Sequence, residues 1–273
     1  MITTRTARAV VGVACALLVP LTLTGCAQPR RAGGPAVTPY PQTLQGRLDN
    51  YEVQWRASVG PSRAKLQDEY TAGLRASEAA AQALQVGDQA PAFELPDTSD
   101  EPVALADLLS REPVVLVWYR GGWSPWCTIT LRAYAEAWPK IQELGVTLVA
   151  ISPQTVENSL LTQQLGQLQF PVLSDAGNRV ARQYGLSHKL PPAVVADLRA
   201  SADPRTRVDL REYNGDESNE LPLTATYVLD CDGVIRYAFV DPDYRKRAEP
   251  ADVVAVLKEL QAGAAEQPGA VPQ

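Results

Sequence analysis

The stretch YRGGWSPWCTITL, residues 119–131, carries the residue types best placed to do chemistry. An apolar run, Val114 to Tyr119, enters a Gly121–Gly122 turn. Ser124 and Pro125 follow, the residue types favoured at the cap and the first position of a helix. That spacing puts Cys127 at the third helical position, where unpaired backbone N–H groups and the positive end of the helix dipole favour a thiolate. Arg120, just ahead of the turn, could add positive charge or donate hydrogen bonds to a developing anion.

The rest of the chain must hold that turn in place. Val114 to Tyr119, Thr147 to Ser152, Thr226 to Leu229 and Val234 to Val240 read as strands, because they are short and rich in β-branched and aromatic residues. Helical spacing recurs over Pro125 to Leu144, Val156 to Leu168 and Pro250 to Gln261, the last with Val253, Val256, Leu257 and Leu260 on one stripe. Strands alternating with helices, and a hairpin through Asp232–Gly233, predict an α/β fold with a mixed sheet flanked by helices. Ahead of this, Leu48, Tyr51 and Trp55, then Leu66, Tyr70, Leu74 and Ala81, predict an accessory pair of helices. The expected division is residues 1–25 signal, 26–44 flexible tether, 45–85 helical extension, 86–263 main domain and 264–273 disordered tail.

The N-terminus has its own pattern. Arg5 and Arg8 lead an apolar run from Ala9 to Leu23, which ends at Leu23-Thr24-Gly25-Cys26. This is a secretory signal, too short for an ordinary membrane span. The closing four residues resemble the lipobox of bacterial lipoproteins, implying cleavage before Cys26, lipid on Cys26 and an extracytoplasmic domain anchored to the outer face of the cell membrane. Loss of residues 1–25 removes two arginines and no acid, so the formal charge moves from −6 to −8. An acidic surface of this kind argues against a nucleic-acid partner. Cys127 and Cys231 are then the remaining thiols.

Five blocks carry a family resemblance: VGDQAPAFELPD (86–97), VVLVWYRGGW (114–123), LVAISPQTVENS (148–159), FPVLSDAGNRVARQYGL (170–186) and ATYVLDCDGVIRYAFVDPDYRKRAEP (225–250). Together they resemble the peroxiredoxin-like proteins of the alkyl hydroperoxide reductase C / thiol-specific antioxidant superfamily. That resemblance implies a thioredoxin-like, peroxiredoxin-type sheet and reduction of hydrogen peroxide or organic hydroperoxides without a cofactor or metal. Cys127 matches the peroxidatic cysteine and Ser124 the upstream threonine or serine that assists the peroxide, while Arg120 stands at the usual proline. Thr224 stands where relatives place an arginine or a proline, and it enters the candidate pocket with Trp123 and Trp126. The two tryptophans either line an apolar mouth that admits organic peroxides or serve as packing.

Relatives of this subgroup carry Trp-Cys-Pro-Tyr-Cys where this chain has Trp-Ser-Pro-Trp-Cys, so one thiol of the pair is absent. Dithiol exchange through the motif needs both. A single cysteine can still be oxidised to a sulfenic acid and await an external thiol or a thioredoxin-like reductant. The alternative is a degenerate thioredoxin-fold lipoprotein that acts as a binding or redox-sensing module. Cys231 reads as an incidental turn cysteine, about 17 Å from the site along its strand. His188, the single histidine, reads as a surface loop residue. Assembly into a homodimer is left open by the sequence.

Overall fold

The computed structural model describes residues 43–200 and 207–265. The signal sequence, Cys26, most of the expected tether and the last eight residues lie outside the described residues. Helices α1 (Leu44–Val59) and α2 (Pro61–Ala76) open the described chain, broken at Gly60, whose φ of 77° suits glycine. Ala81, expected on the second helix, lies instead in a short 3-10 turn, Ala79–Gln82. A ribbon of β1 (Glu94–Pro96) and β2 (Pro102–Ala104) leads through α3 (Leu105–Leu109) to β3 (Val114–Trp118).

Next come α4 (Pro125–Glu143), β4 (Thr147–Ser152), α5 (Val156–Gly166), β5 (Val172–Ser174) and α6 (Arg179–Gln183). An excursion follows: β6 (Ser187–Lys189), α7 (Pro192–Arg199), α8 (Leu210–Asn214) and β7 (Glu220–Pro222), with β6 and β7 paired antiparallel. The chain returns as β8 (Thr224–Leu229), β9 (Ile235–Asp241) and α9 (Pro250–Ala265). Helix α9 therefore runs two residues past the boundary expected at 263.

The central sheet has the order β5-β4-β3-β8-β9. Strands β3, β4 and β5 are parallel, whereas β8 runs antiparallel to β3, and β9 to β8. Strand β3 lies at the centre because all five of its residues are apolar. Val114, Leu116 and Trp118 face one core, while Val115 and Val117 face the other. Period-two side chains on a strand covered on both sides require such a continuous apolar run. A third cluster joins Leu44, Leu48 and Tyr70 of the helical pair to Trp126, Leu190, Val194 and Tyr244. The helical pair is thus packed over the start of α4.

Candidate active site

The β3–α4 turn depends on its two glycines. Gly121 has φ 148°, and a Cβ there would collide with the Trp123 indole. A Cβ on Gly122 would strike the Thr162 hydroxyl, while the Gly122 N–H donates to Gln154 Oε1 at 2.8 Å. The turn is therefore seated directly on α5 and its approach. Ser124 then takes the extended backbone of an N-cap (φ −91°, ψ 115°), with Pro125 next. Its hydroxyl makes no capping bond; it interacts with the Cys127 thiol instead. Cap position and sulfur contact thus belong to one residue, but only the second uses its side chain.

Cys127 is fully buried among Val117, Tyr119, Leu131 and Val228. Burial alone pushes its thiol pKa up. The positive charge of Arg247, the Ser124 hydroxyl, the Arg120 backbone N–H and the Arg120 charge outweigh that and hold it below the ordinary value. Arg247 Nη2 lies 3.6 Å from Sγ. The same guanidinium donates through Nη1 to Thr224 Oγ1 at 2.9 Å, to the Lys246 carbonyl at 3.0 Å, and to the Tyr244 carbonyl. Burial, and Arg120 nearby, pull the Arg247 pKa down, while the sulfur acts the other way; a guanidinium stays charged through such a shift.

The geometry gives three of the sequence candidates their places. Thr224 does not act as a pocket wall: it is buried and its hydroxyl holds Arg247, so it supports the cation at the position where it replaces one. Arg120 contributes the smallest of the named effects on the thiol through its charge. Its guanidinium lies over three rings instead, with its carbon 4.4 Å from the Tyr244 centroid, 5.3 Å from Trp123 and 5.9 Å from Tyr70. Trp126 is chiefly packing, held edge-on by Tyr51 at 4.8 Å, Tyr244 at 5.3 Å and Trp55 at 5.4 Å. Trp123, half-buried, lines the clefts on both sides of the turn.

Arg247 itself was missed. It follows β9 in the run YRKR, where its type suggests a solvated face. The register that places it pairs Thr224 with Asp241 across the sheet, and the basic residues begin four positions later at Arg245.

The segment that carries Arg247 is clamped by the helical pair. Glu249 accepts from the backbone N–H groups of Leu44 (2.9 Å) and Gln45 (2.7 Å), the first turn of α1. Arg245 pairs with Asp243 at 2.7 Å, Asp68 at 2.8 Å and Glu52 at 3.0 Å. The Tyr244 hydroxyl donates to Gln67 Oε1 at 3.3 Å.

His188 is not a surface loop residue. It lies half-buried in β6, with Nε2 2.6 Å from the Tyr70 hydroxyl. Burial, together with the Arg120 charge, holds its pKa down at about 4. The unfolded chain therefore takes up a proton near pH 6.5 that the folded chain refuses until about pH 4. Stability should be full above that window and fall by about 3 kcal/mol as the pH drops through it. Denaturant unfolding at pH 7 and pH 4.5 should show the loss, and His188→Gln should flatten this component.

Cys231 is exposed in the β8–β9 turn, and its thiol is pushed up by partial burial and by Asp230 and Asp232. Leu229, beside that turn, pairs with Val114 at the start of β3, whereas Cys127 follows the end of β3. The two sulfurs are thus at opposite ends of the sheet, beyond disulfide reach. Cys231→Ser should leave the oxidation rate of Cys127 unchanged within about twofold, as read by mass spectrometry of trapped sulfenic acid.

Comparison with known proteins agrees with this architecture. The crystal structure of the peroxidoxin BcpB from Mycobacterium tuberculosis superposes with a TM-score of 0.50 over 65% of this chain and 98% of that one, at 24% identity. A cysteine-to-serine mutant of peroxiredoxin 6 from Arenicola marina gives 0.51 over 66% and 75%, at 18% identity. By sequence, the bcp protein of Coxiella burnetii, a candidate peroxiredoxin, is 33% identical over 38% of this chain and 68% of its own length. The chloroplastic peroxiredoxin Q of Oryza sativa subsp. japonica is 29% identical over 64% and 67%. Residues 86–238, more than half of the chain and the whole span from the β1 approach through the cysteine to β9, match the AhpC/TSA family, and the chain belongs to it.

Proposed function

We propose that the protein is a thiol peroxidase in which Cys127 is the single peroxidatic cysteine and an external thiol or thioredoxin-like protein regenerates it. The observation that carries this reading is the buried Arg247 guanidinium 3.6 Å from Sγ. It stabilises the thiolate before attack, and its Nη2 donor faces the sulfur where charge moves during the reaction. The step is attack of the thiolate on the distal peroxide oxygen, which forms a sulfenic acid and releases an alcohol or water once the leaving oxygen is protonated. Ser124 is the hydroxyl at the sulfur, suited to hold the peroxide. Relatives named as peroxiredoxins support the same class.

The proposed setting is extracytoplasmic, with Cys26 lipidated and the domain tethered to the membrane; the support is the sequence pattern alone. A second reading, a redox-sensing or binding module, draws on the complete burial of Cys127. One experiment separates the two. A fragment from Ala27 onward, and its Cys127→Ser variant, are mixed with hydrogen peroxide or cumene hydroperoxide, and sulfenic acid at Cys127 is followed by mass spectrometry. Oxidation far faster than that of free cysteine, with turnover on adding a dithiol, supports the peroxidase. Oxidation no faster than that of free cysteine leaves the module.

A further inference from the structure

Beside Ser124 a cleft of about 60 Å³ opens between the helical pair and the β3–α4 turn. Its walls are aromatic and apolar, including Tyr51, Trp55, Trp126 and Tyr244, and Arg120 lines it. The Arg120 side chain is buried, since only 4% of the residue is exposed. Its Nε has no hydrogen-bond partner, and its guanidinium makes no ion pair among the described residues. Three ring faces are its only partners there. Rings compensate a cation only in part, whereas taking a charge out of water costs more unless an anion or acceptors meet it. The neighbouring Arg63 is engaged with Asp197 at 2.9 Å.

A cavity of this size takes a head group of a few heavy atoms. A planar, delocalised cation whose buried Nε donor has no partner selects a planar carboxylate. The same residue donates its backbone N–H toward Cys127 Sγ, so the cleft and the sulfur share Arg120 and Ser124. We propose that the cleft is a carboxylate subsite and that the peroxides it selects are acyl hydroperoxides, whose reduction leaves a carboxylate on Arg120. This rests on the reading of Cys127 as a peroxide-reducing nucleophile.

The chemistry balances without a proton donor. The thiolate lone pair attacks the terminal oxygen of R–C(=O)–O–OH, and an S–O bond forms as the O–O bond breaks. The electron pair departs with the acyl oxygen as R–CO₂⁻, and the hydroxyl keeps its proton on sulfur as Cys–SOH. Sulfur loses two electrons and the peroxide gains them. An alkyl hydroperoxide instead sheds an alkoxide that must be protonated. The titratable groups facing the cleft are arginines and Tyr51 and Tyr244, and burial makes both tyrosines weaker acids than usual. A leaving group that needs a cation and no proton matches these walls.

The test uses the fragment from Ala27 onward, the chain left by the proposed cleavage save for the lipidated Cys26. Acetate is titrated against ethanol as its neutral match, with the fluorescence of the tryptophans in the cleft as readout. Rates of Cys127 oxidation by peracetic acid and by hydrogen peroxide are then measured by stopped flow. Saturable quenching by acetate alone is expected, weakened about tenfold or more in Arg120→Gln. The ratio of the peracetic acid rate to the hydrogen peroxide rate should fall about 100-fold in the same variant. Arg120→Lys, which keeps the charge among the rings, should retain part of both effects and so separates loss of the cation from misfolding. Equal responses to acetate and ethanol, or an unchanged rate ratio, would overturn the proposal. Acetate binding through Arg120 with no oxidation of Cys127 by either peroxide would remove the peroxidase reading, and the substrate class with it, while leaving the anion site in place.

Discussion

Arg247→Met should slow sulfenic acid formation at Cys127 by about 100-fold to 1,000-fold, the largest effect expected of any substitution outside the cysteine itself. The reason lies in the balance at the sulfur. Burial is the strongest influence on the thiol, and it acts upward; the Arg247 charge is the first of the effects that reverse it. Without that cation the thiol should titrate above the ordinary cysteine value of about 8.5. Iodoacetamide alkylation against pH reads this directly, with the inflection below the ordinary cysteine range in the wild type and above it in the variant. Arg247→Lys should recover part of the shift, because one ammonium cannot reach Sγ, Thr224 Oγ1 and two carbonyls together. An alkylation profile that does not move would show that Arg247 has no electrostatic role.

Arg245→Met should have the largest effect on stability, a loss of about 3–5 kcal/mol in denaturant unfolding. Arg245 is nearly buried and meets three carboxylates. Its removal takes the nearest cation from Asp243, which is 4% exposed and keeps the backbone N–H of residue 245 at 3.1 Å and the peripheral Arg75 at 3.2 Å. A buried carboxylate without its cation is costly, while the exposed part of the cluster matters little. The change should also reach the thiol, since Arg245 and Arg247 share one short segment. The alkylation inflection should therefore rise in Arg245→Met, although residue 245 does not touch sulfur. An Arg56→Met control, which removes a more exposed partner of Glu52 and Asp68, should leave the inflection in place.

The central strands and the cysteine's helix were legible because local rules suffice for them. VVLVW can be buried on both faces and little else, and Ser-Pro after Gly-Gly fixes where α4 begins. The expected bounds of β4, Thr147 to Ser152, coincide with the strand found. Strands β6 and β7 were not legible: three residues each, SHK and ELP, show no alternation, and their pairing is set by partners far along the chain. His188 was misplaced for the same reason, since its burial comes from Tyr70 on α2. Arg245 and Arg247 illustrate the limit of reading charge by type. Two positions apart in one basic run, one enters a carboxylate cluster and the other meets a sulfur, and only tertiary packing separates those fates.

The clamp between the helical pair and the segment after β9 has a consequence for both. Glu52 and Arg245 stand 193 positions apart, and the family match begins at residue 86, well after Glu52 and Asp68. A chain without the helical pair leaves Arg245 with Asp243 alone and Glu249 without the Leu44 and Gln45 N–H groups, and one altered in the YRKRAE stretch deprives α1 of its N-terminal anchor. Each stretch therefore supplies the other's polar partners.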